Sequence, residues 1–481
     1  MSMGLLKMMR SRPVLACVLV VGVVALLPRL ALLFQSPLVI TNDGVLYTHW
    51  AWAMAHGQWP AVPSYRTPGY PLLVAGVFAV AGVEPLAVHA VQRLLGVLTG
   101  CVVAGVVAAI VKRGHRPGLA LPAGVLCGMI PALDPRPMAL EGFMLSETLG
   151  VFLAVVLLAL PMGLERFRAW HVVWVAAVAG LLCLTRPAFQ VAVPLVLLAV
   201  VLLPGPAKPR TRLVTLLAGV AVFFATIGPW LVFNHRRGVG GLGEGGGAVL
   251  WLGLAMAGRL DTSLAPTPEL AAEYERIVGD NPHPGTLHEY VFSIGTFERD
   301  DVRAQISGWA MRSVREHPGD YAFGVLHAAL WQCDYLPRWS DPPDHETRWF
   351  VRRVAVDANH RGPGSNFNIV GEIDPLVREL SMDRPSRGVA WVFNAWASQR
   401  HNGAWTLLLL VSAVAAGVAC LVRRRWSLAL LLAASGAVFA LHAALVSPYG
   451  RYSMPVWMVW SVAPAVLAMG GRKPGTTEEA G

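Results

Sequence analysis

The sequence predicts an all-α polytopic membrane protein of about ten spans. Three observations predict it. The 481 residues are 55% hydrophobic and only 14% charged, where an ordinary globular domain carries about 25% charged residues. Charge is also unevenly spread: 38 of the 68 Asp, Glu, Lys and Arg residues lie between Asn234 and Asn402, and the other 312 positions hold 30, of which 22 are basic. Those 312 positions divide into apolar runs near the roughly 20 residues that cross a hydrocarbon core. Such a chain is not disordered, not a soluble single domain and not a nucleic-acid binder, because its basic residues sit in short connections rather than on one face.

The first run, Pro13 to Phe34 behind Lys7, Arg10 and Arg12, is too long for a cleaved leader and no small-x-small site follows it, so it reads as an uncleaved span. Further spans are expected at 86–111, 117–133, 143–162, 171–185, 187–204, 213–233, 404–422, 427–446 and 454–470. Lys and Arg in short connections set orientation. They cluster at 7–12, 112–116, 166–168, 208–212, 423–425 and 472–473, which places both termini in the cytoplasm and the protein in the inner (plasma) membrane. The division expected is an N-terminal membrane module, 1–233, with its first outer loop at 36–85, an extracytoplasmic region at 234–402, and C-terminal helices with a short tail at 403–481. The stretch 319–333 is too short and polar to span and is placed at the interface.

Cysteine and glycine carry no chemistry here. Five of the six cysteines lie in apolar runs, where thiols pack as small hydrophobes. Gly238 to Gly247 lacks the Lys-Ser/Thr of a phosphate loop and reads as a flexible linker. The histidines of the outer region have no metal-ligand spacing.

Charge on the outer side is more informative. Arg29, Arg66, Arg93, Arg136, Arg186 and Arg451 break the positive-inside bias, and Asp43, Glu84, Asp134, Glu141 and Glu147 accompany them. Charge at membrane depth is costly and is paired or functional. Arg29 and Arg93 either snorkel or pair structurally, or they belong to a polar cavity at the outer leaflet.

Five short segments concentrate these groups. Gly44 to Ala55 is expected to be a short helix with Asn42 or Asp43 as its N-cap, and Trp50, Trp52 and Trp59 suit an interfacial position. Asp43 then serves either as a cap alone or as a carboxylate poised at the membrane rim. Arg66 precedes Pro68 and Pro71, which are expected to delay a short helix until about residue 71; its planar fork matches phosphate oxygens, as catalyst or as headgroup anchor. Ser146-Glu147-Thr148 opens the fourth span, Leu184-Thr185-Arg186-Pro187 forms a turn between the fifth and sixth, and Arg451-Tyr452 precedes the last.

In this order the segments resemble the GT-C membrane glycosyltransferases, in particular the bacterial relatives of the protein O-mannosyltransferases and the lipid A aminoarabinose transferase. The pieces are Asp43 with Tyr47, Ala51 and Gly57; Arg66-Thr-Pro-x-Tyr-Pro-Leu-Leu73; Ser146-Glu147-Thr148; Leu184 to Pro187; Gly228-Pro229-Trp230 through Asn234; and Arg451-Tyr452-x-x-Pro455. One departure stands out: many members have two adjacent acids in the first loop, whereas Gly44 follows Asp43 here. The resemblance implies a GT-C-like helix bundle that transfers a sugar from a polyprenyl-phosphate donor to an acceptor hydroxyl on an envelope glycan, lipid or protein, with inversion. It implies Asp43 as catalytic base; Arg66, Arg186 and Arg451 at the donor phosphate, Arg66 standing where one branch has a phosphate-contacting lysine; and Glu147, Tyr47 and Tyr452 orienting the acceptor or a metal. No cofactor is required on this reading, although a divalent cation is compatible with it. The alternative is a transporter or flippase of lipid-linked sugars, against which stand the single large outer loop and the lack of an internal repeat.

The topology predicts that Cys333 faces the outside. In a variant with the other five cysteines replaced, an impermeant maleimide should label Cys333 in intact cells; labelling that requires permeabilising the inner membrane would reverse the orientation.

Overall fold

A computed structural model describes residues 12–35, 42–59, 66–114, 116–243, 246–279, 287, 290–291, 293–296, 299–332, 404–445 and 454–468. The elements are helical. In order they are α1 (Pro13–Gln35), α2 (Asn42–Ala55), α3 (Gly69–Ala81), α4 (Pro85–Lys112), α5 (Ala120–Leu133), α6 (Pro135–Leu140), α7 (Glu147–Leu158), α8 (Ala169–Thr185), α9 (Val193–Val201), α10 (Pro209–Arg236), α11 (Gly246–Met256), α12 (Pro268–Ile277), α13 (Asp300–Glu316), α14 (Pro318–Gln332), α15 (Ala404–Val422), α16 (Trp426–Ala444), α17 (Met454–Trp460) and α18 (Ala463–Ala468).

Among the described residues, four helices are long and apolar enough to cross a membrane by themselves: α1, α4, α10 and α16. Tight turns lengthen several of the shorter apolar ones, with 117–119 ahead of α5, 160–163 after α7 and 187–192 ahead of α9. Apolar side chains cover the outside of the bundle. Leu15, Leu19, Val23, Leu26, Leu30 and Phe34 line one exposed stripe of α1, and Leu408, Val411, Val414, Val418 and Leu421 line another on α15. In water such stripes would drive aggregation; hydrocarbon solvates them.

Small residues let the central helices close. In α4, Gly96, Gly100, Ala104 and Ala108 recur every fourth residue, and Gly124, Gly128 and Ala132 do so in α5. A Cβ on Gly128 would stand 2.6 Å from that of Ala104, and one on Gly124 2.9 Å from the Ala104 carbonyl. The backbones therefore meet along one seam, the packing that suits helices with no hydrophobic drive between them. α1 lies over both, with Cys17 seated against Gly124.

The bundle has two chemically different ends. At one, Arg113 pairs with Glu165 at 3.0 Å, and Arg212 donates to the carbonyls of Leu203 at 2.8 Å and Gly205 at 3.0 Å. Cations there satisfy backbone acceptors left open at helix C-termini. The other end carries α2, α3, α6 and the helices α11–α14. Those four enclose a second core of Trp251, Tyr274, Tyr290 and Trp309, with Trp251 and Tyr290 stacked at 5.3 Å. Tyr321 of α14 donates to the Ala444 carbonyl at the end of α16 at 2.7 Å, which ties this core to the bundle.

Three local expectations need correction. α2 begins at Asn42, so Asp43 lies in the first helical turn rather than at the cap. α3 begins at Gly69, ahead of Pro71: a first-turn proline gives up an N–H that has no intrahelical partner. Residues 238–243 form a pinned turn rather than a flexible linker, because Asn234 Nδ2 donates to the Gly241 carbonyl and Trp230 Nε1 to that of Leu242, both at 2.9 Å. The left-handed backbone at Gly238 and Gly241 explains the glycines.

The seam predicts that Gly128→Val costs about 1–3 kcal/mol through overpacking, read as loss of thermal stability in detergent. Gly417→Ala, where an added Cβ meets nothing within 4 Å, should leave the melt unchanged or slightly raised.

Candidate functional site

The non-basic end holds a buried ion cluster that ties three helices together. Arg29 of α1 donates from Nε to Glu141 Oε2 at 2.9 Å and from its terminal nitrogen to Oε1 at 2.7 Å. Arg93 of α4 approaches the same carboxylate at 3.2 Å. Arg29 and Glu141 are each 1% exposed. A terminal nitrogen of each arginine also reaches a backbone carbonyl: Arg29 that of Ala132 at 2.6 Å, Arg93 that of Met138. Gly96 of α4 makes the room, since a Cβ there would overlap the Glu141 carboxylate. The pairing alternative for Arg29 and Arg93 is the one realised.

The Glu141 backbone is held as firmly. Its carbonyl accepts from Gln92 Nε2 at 3.0 Å and from His89 Nδ1 at 3.2 Å. Gln92 Nε2 also donates to the Phe143 carbonyl at 2.9 Å, and Gln92 Oε1 accepts from the Tyr70 hydroxyl at 2.8 Å. Tyr70 packs edge-on against Tyr47 with ring centroids 5.2 Å apart. Tyr47 Oη in turn accepts from the Arg66 guanidinium at 3.1 Å, which also lies 5.5 Å from the Tyr47 ring centroid. A continuous polar path thus runs from Arg66 to the ion cluster.

Two more of the sequence-identified residues meet beside this path. Arg186, at the end of α8, pairs with Glu147, the first residue of α7, at 3.0 Å, and both are buried. The guanidinium stem lies along Gly150, where a Cβ would come within 2.7 Å of it. The start of α3 presses on the same turn, Gly69 against the Leu184 carbonyl at 2.6 Å from its ideal Cβ position. Thr48 of α2 contacts Met144 Sδ at 3.5 Å. The segments at 42–55, 66–70, 141–150 and 184–186, distant in the chain, therefore form one patch.

A narrow cavity between α4, α7 and α17 takes in Glu141, Glu147, Thr148 and Met458. Its free volume, about 10 Å³, is at the scale of one water molecule. Burial on α2 pushes the His49 imidazole below its ordinary pKa, so it is neutral at neutral pH. Among the described residues no group of three or more His, Cys, Asp or Glu is placed to hold a metal ion.

Arg66, Tyr47, Glu147 and Arg186 are thus brought together. The Asp43 and Arg136 side chains, and Arg451, Tyr452 and Cys333 altogether, lie outside the described residues. The roles of Gln92, Tyr70 and Gly96 were missed from sequence. Their signal was there: Gln92-Arg93 interrupts an apolar run, and Gly96 follows one turn later on the same face.

No family model matches the chain. No curated protein matches it either. Among solved structures, it is similar to the crystal structure of ArnT from Cupriavidus metallidurans bound to undecaprenyl phosphate, at 14% identity and a TM-score of 0.35, covering 95% of this chain and 78% of that one.

The ion cluster makes a sharp prediction. Glu141→Gln leaves two buried guanidiniums without a counter-charge, so the loss should be about 3–5 kcal/mol, read as collapse of monodisperse protein in detergent. Replacing the whole cluster with Arg29→Met, Glu141→Leu and Arg93→Met should recover much of that loss.

Proposed function

We propose that this chain is a membrane glycosyltransferase that moves a sugar from a polyprenyl-phosphate donor to an acceptor hydroxyl at the extracytoplasmic face. The observation that carries the reading is the convergence just described: Arg66 with Tyr47, and Glu147 with Arg186, meet in one patch at the end of the bundle opposite the basic connections. A patch of arginines at headgroup depth suits a lipid phosphate, with the polyprenyl tail lying between helices.

On this reading, Asp43 in the first turn of α2, four residues before Tyr47, takes the proton from the acceptor hydroxyl. The acceptor oxygen attacks the anomeric carbon as the bond to the phosphate oxygen breaks, and the configuration inverts. The electron pair of that bond leaves on the lipid phosphate, whose growing charge is met by the Arg66 guanidinium. Fixed donors in a dry site are worth a few kcal/mol each to a developing anion, roughly 3–4 for one well-placed group. Tyr47 holds the Arg66 fork in register, and Glu147 orients Arg186 toward the same phosphate. Arg451 and Tyr452 would complete the site from the last turn.

The test is direct. Purified protein should transfer sugar from a synthetic polyprenyl-phosphate sugar to membrane-extracted acceptor and ignore UDP- or GDP-linked sugars. Asp43→Asn should lower the rate by about 10²–10⁴. Arg66→Ala should be far worse than Arg66→Lys, mainly in kcat, because lysine keeps the charge but loses the fork. Turnover with a nucleotide sugar and no lipid would overturn the reading.

A further inference from the structure

We infer that Gln92 is a positioning residue for Arg66, acting through Tyr70 and Tyr47; the inference rests on the reading of Arg66 given above. Gln92 is fully buried within α4, at a depth of about 10 Å from the helix start at 1.5 Å per residue. An amide there is expensive unless every polar atom is used. All are used: the carbonyl oxygen accepts from the Tyr70 hydroxyl, and the two N–H groups donate to the Glu141 and Phe143 carbonyls. The orientation is not interchangeable. Turned over, the amide would set its oxygen against two carbonyl oxygens and its N–H groups against a phenol that needs an acceptor.

The partners belong to separate segments. Glu141 is held by Arg29 and Arg93, Phe143 leads into the Glu147–Arg186 pair, and Tyr70 sits in the first turn of α3, four residues after Arg66. Gln92 therefore converts a position set by the ion cluster into a position for the α3 start. The Tyr70 ring passes it on, because its edge contact fixes the Tyr47 ring and Tyr47 Oη takes the guanidinium hydrogen bond. Arg66 itself can reach the reacting phosphate; Gln92 acts only through others.

Two variants separate positioning from bulk stability. Gln92→Leu removes all three hydrogen bonds. Tyr70→Phe removes only the hydroxyl and keeps the ring contact, so it folds even if the first does not. In folded, monodisperse protein the expected loss in kcat is about 10²-fold for Gln92→Leu, the scale of a misplacement near 1 Å, and several-fold for Tyr70→Phe, with KM changed less. Combined with Arg66→Ala, neither variant should cost further rate, since the residue being positioned is gone. Losses that multiply with that of Arg66→Ala would overturn the inference.

Hydrogen exchange reads the same coupling without any substrate. Tyr70→Phe and Gln92→Leu should speed amide exchange over 42–55 and 141–147 while leaving α10 unchanged. Unchanged exchange over 42–55 would sink the positioning role. If wild-type protein exchanges as expected but turns over no polyprenyl-phosphate sugar, the proposed function fails and the exchange result still decides the mechanical link.

Discussion

A carboxylate shared by two arginines inside an apolar bundle is the interaction on which this structure turns. Each ion costs several kcal/mol to remove from water, and mutual attraction offsets that only when geometry is close and the remaining donors are satisfied. Glu141 supplies the close geometry: its carboxylate takes Arg29 and Arg93, and a terminal nitrogen of each arginine also reaches a backbone carbonyl, that of Ala132 or Met138, while Arg93 Nε is buried without a partner. The result is a clamp that joins α1 and α4 to α5, α6 and the segment just after α6. The clamp also sets requirements elsewhere, beginning with Gly96 of α4, where a side chain would collide with it.

Arginine does two different jobs at the two ends of the bundle. At the basic end, Arg113 and Arg212 lie near helix C-termini and donate to backbone carbonyls, and the exposed Glu165 beside Arg113 contributes little through an exposed pair. At the opposite end, Arg29, Arg93 and Arg186 are buried and answered by acids. Arg66 donates to the Tyr47 hydroxyl and lies beside its ring, contacts that fix the direction of the guanidinium fork.

The apolar helices were legible in the sequence because hydrophobicity is a sum over neighbouring residues. The expected 86–111, 171–185, 213–233 and 427–446 return as α4, α8, α10 and α16 with ends shifted by only a few residues. The misses came where one residue's tertiary partner overrode a local rule. Pro71 reads locally as a barrier to a helix and is a first-turn residue. The glycines at 238–247 read locally as slack, and Asn234 and Trp230 pin the turn at Gly241 and Leu242.

The sequence by itself determined where the apolar helices lie, the short helices that follow the first of them, and the list of polar groups that had to find partners inside the bundle. It did so because hydrophobicity, proline and glycine act on the chain locally. Only the tertiary structure decided which partner each group takes: Glu141 with Arg29 and Arg93, Glu147 with Arg186, and Tyr47 with Arg66. Those choices join residues as many as 112 positions apart. They depend on glycine seams that let helices approach within bonding distance, a property of two surfaces at once that no single stretch of chain contains.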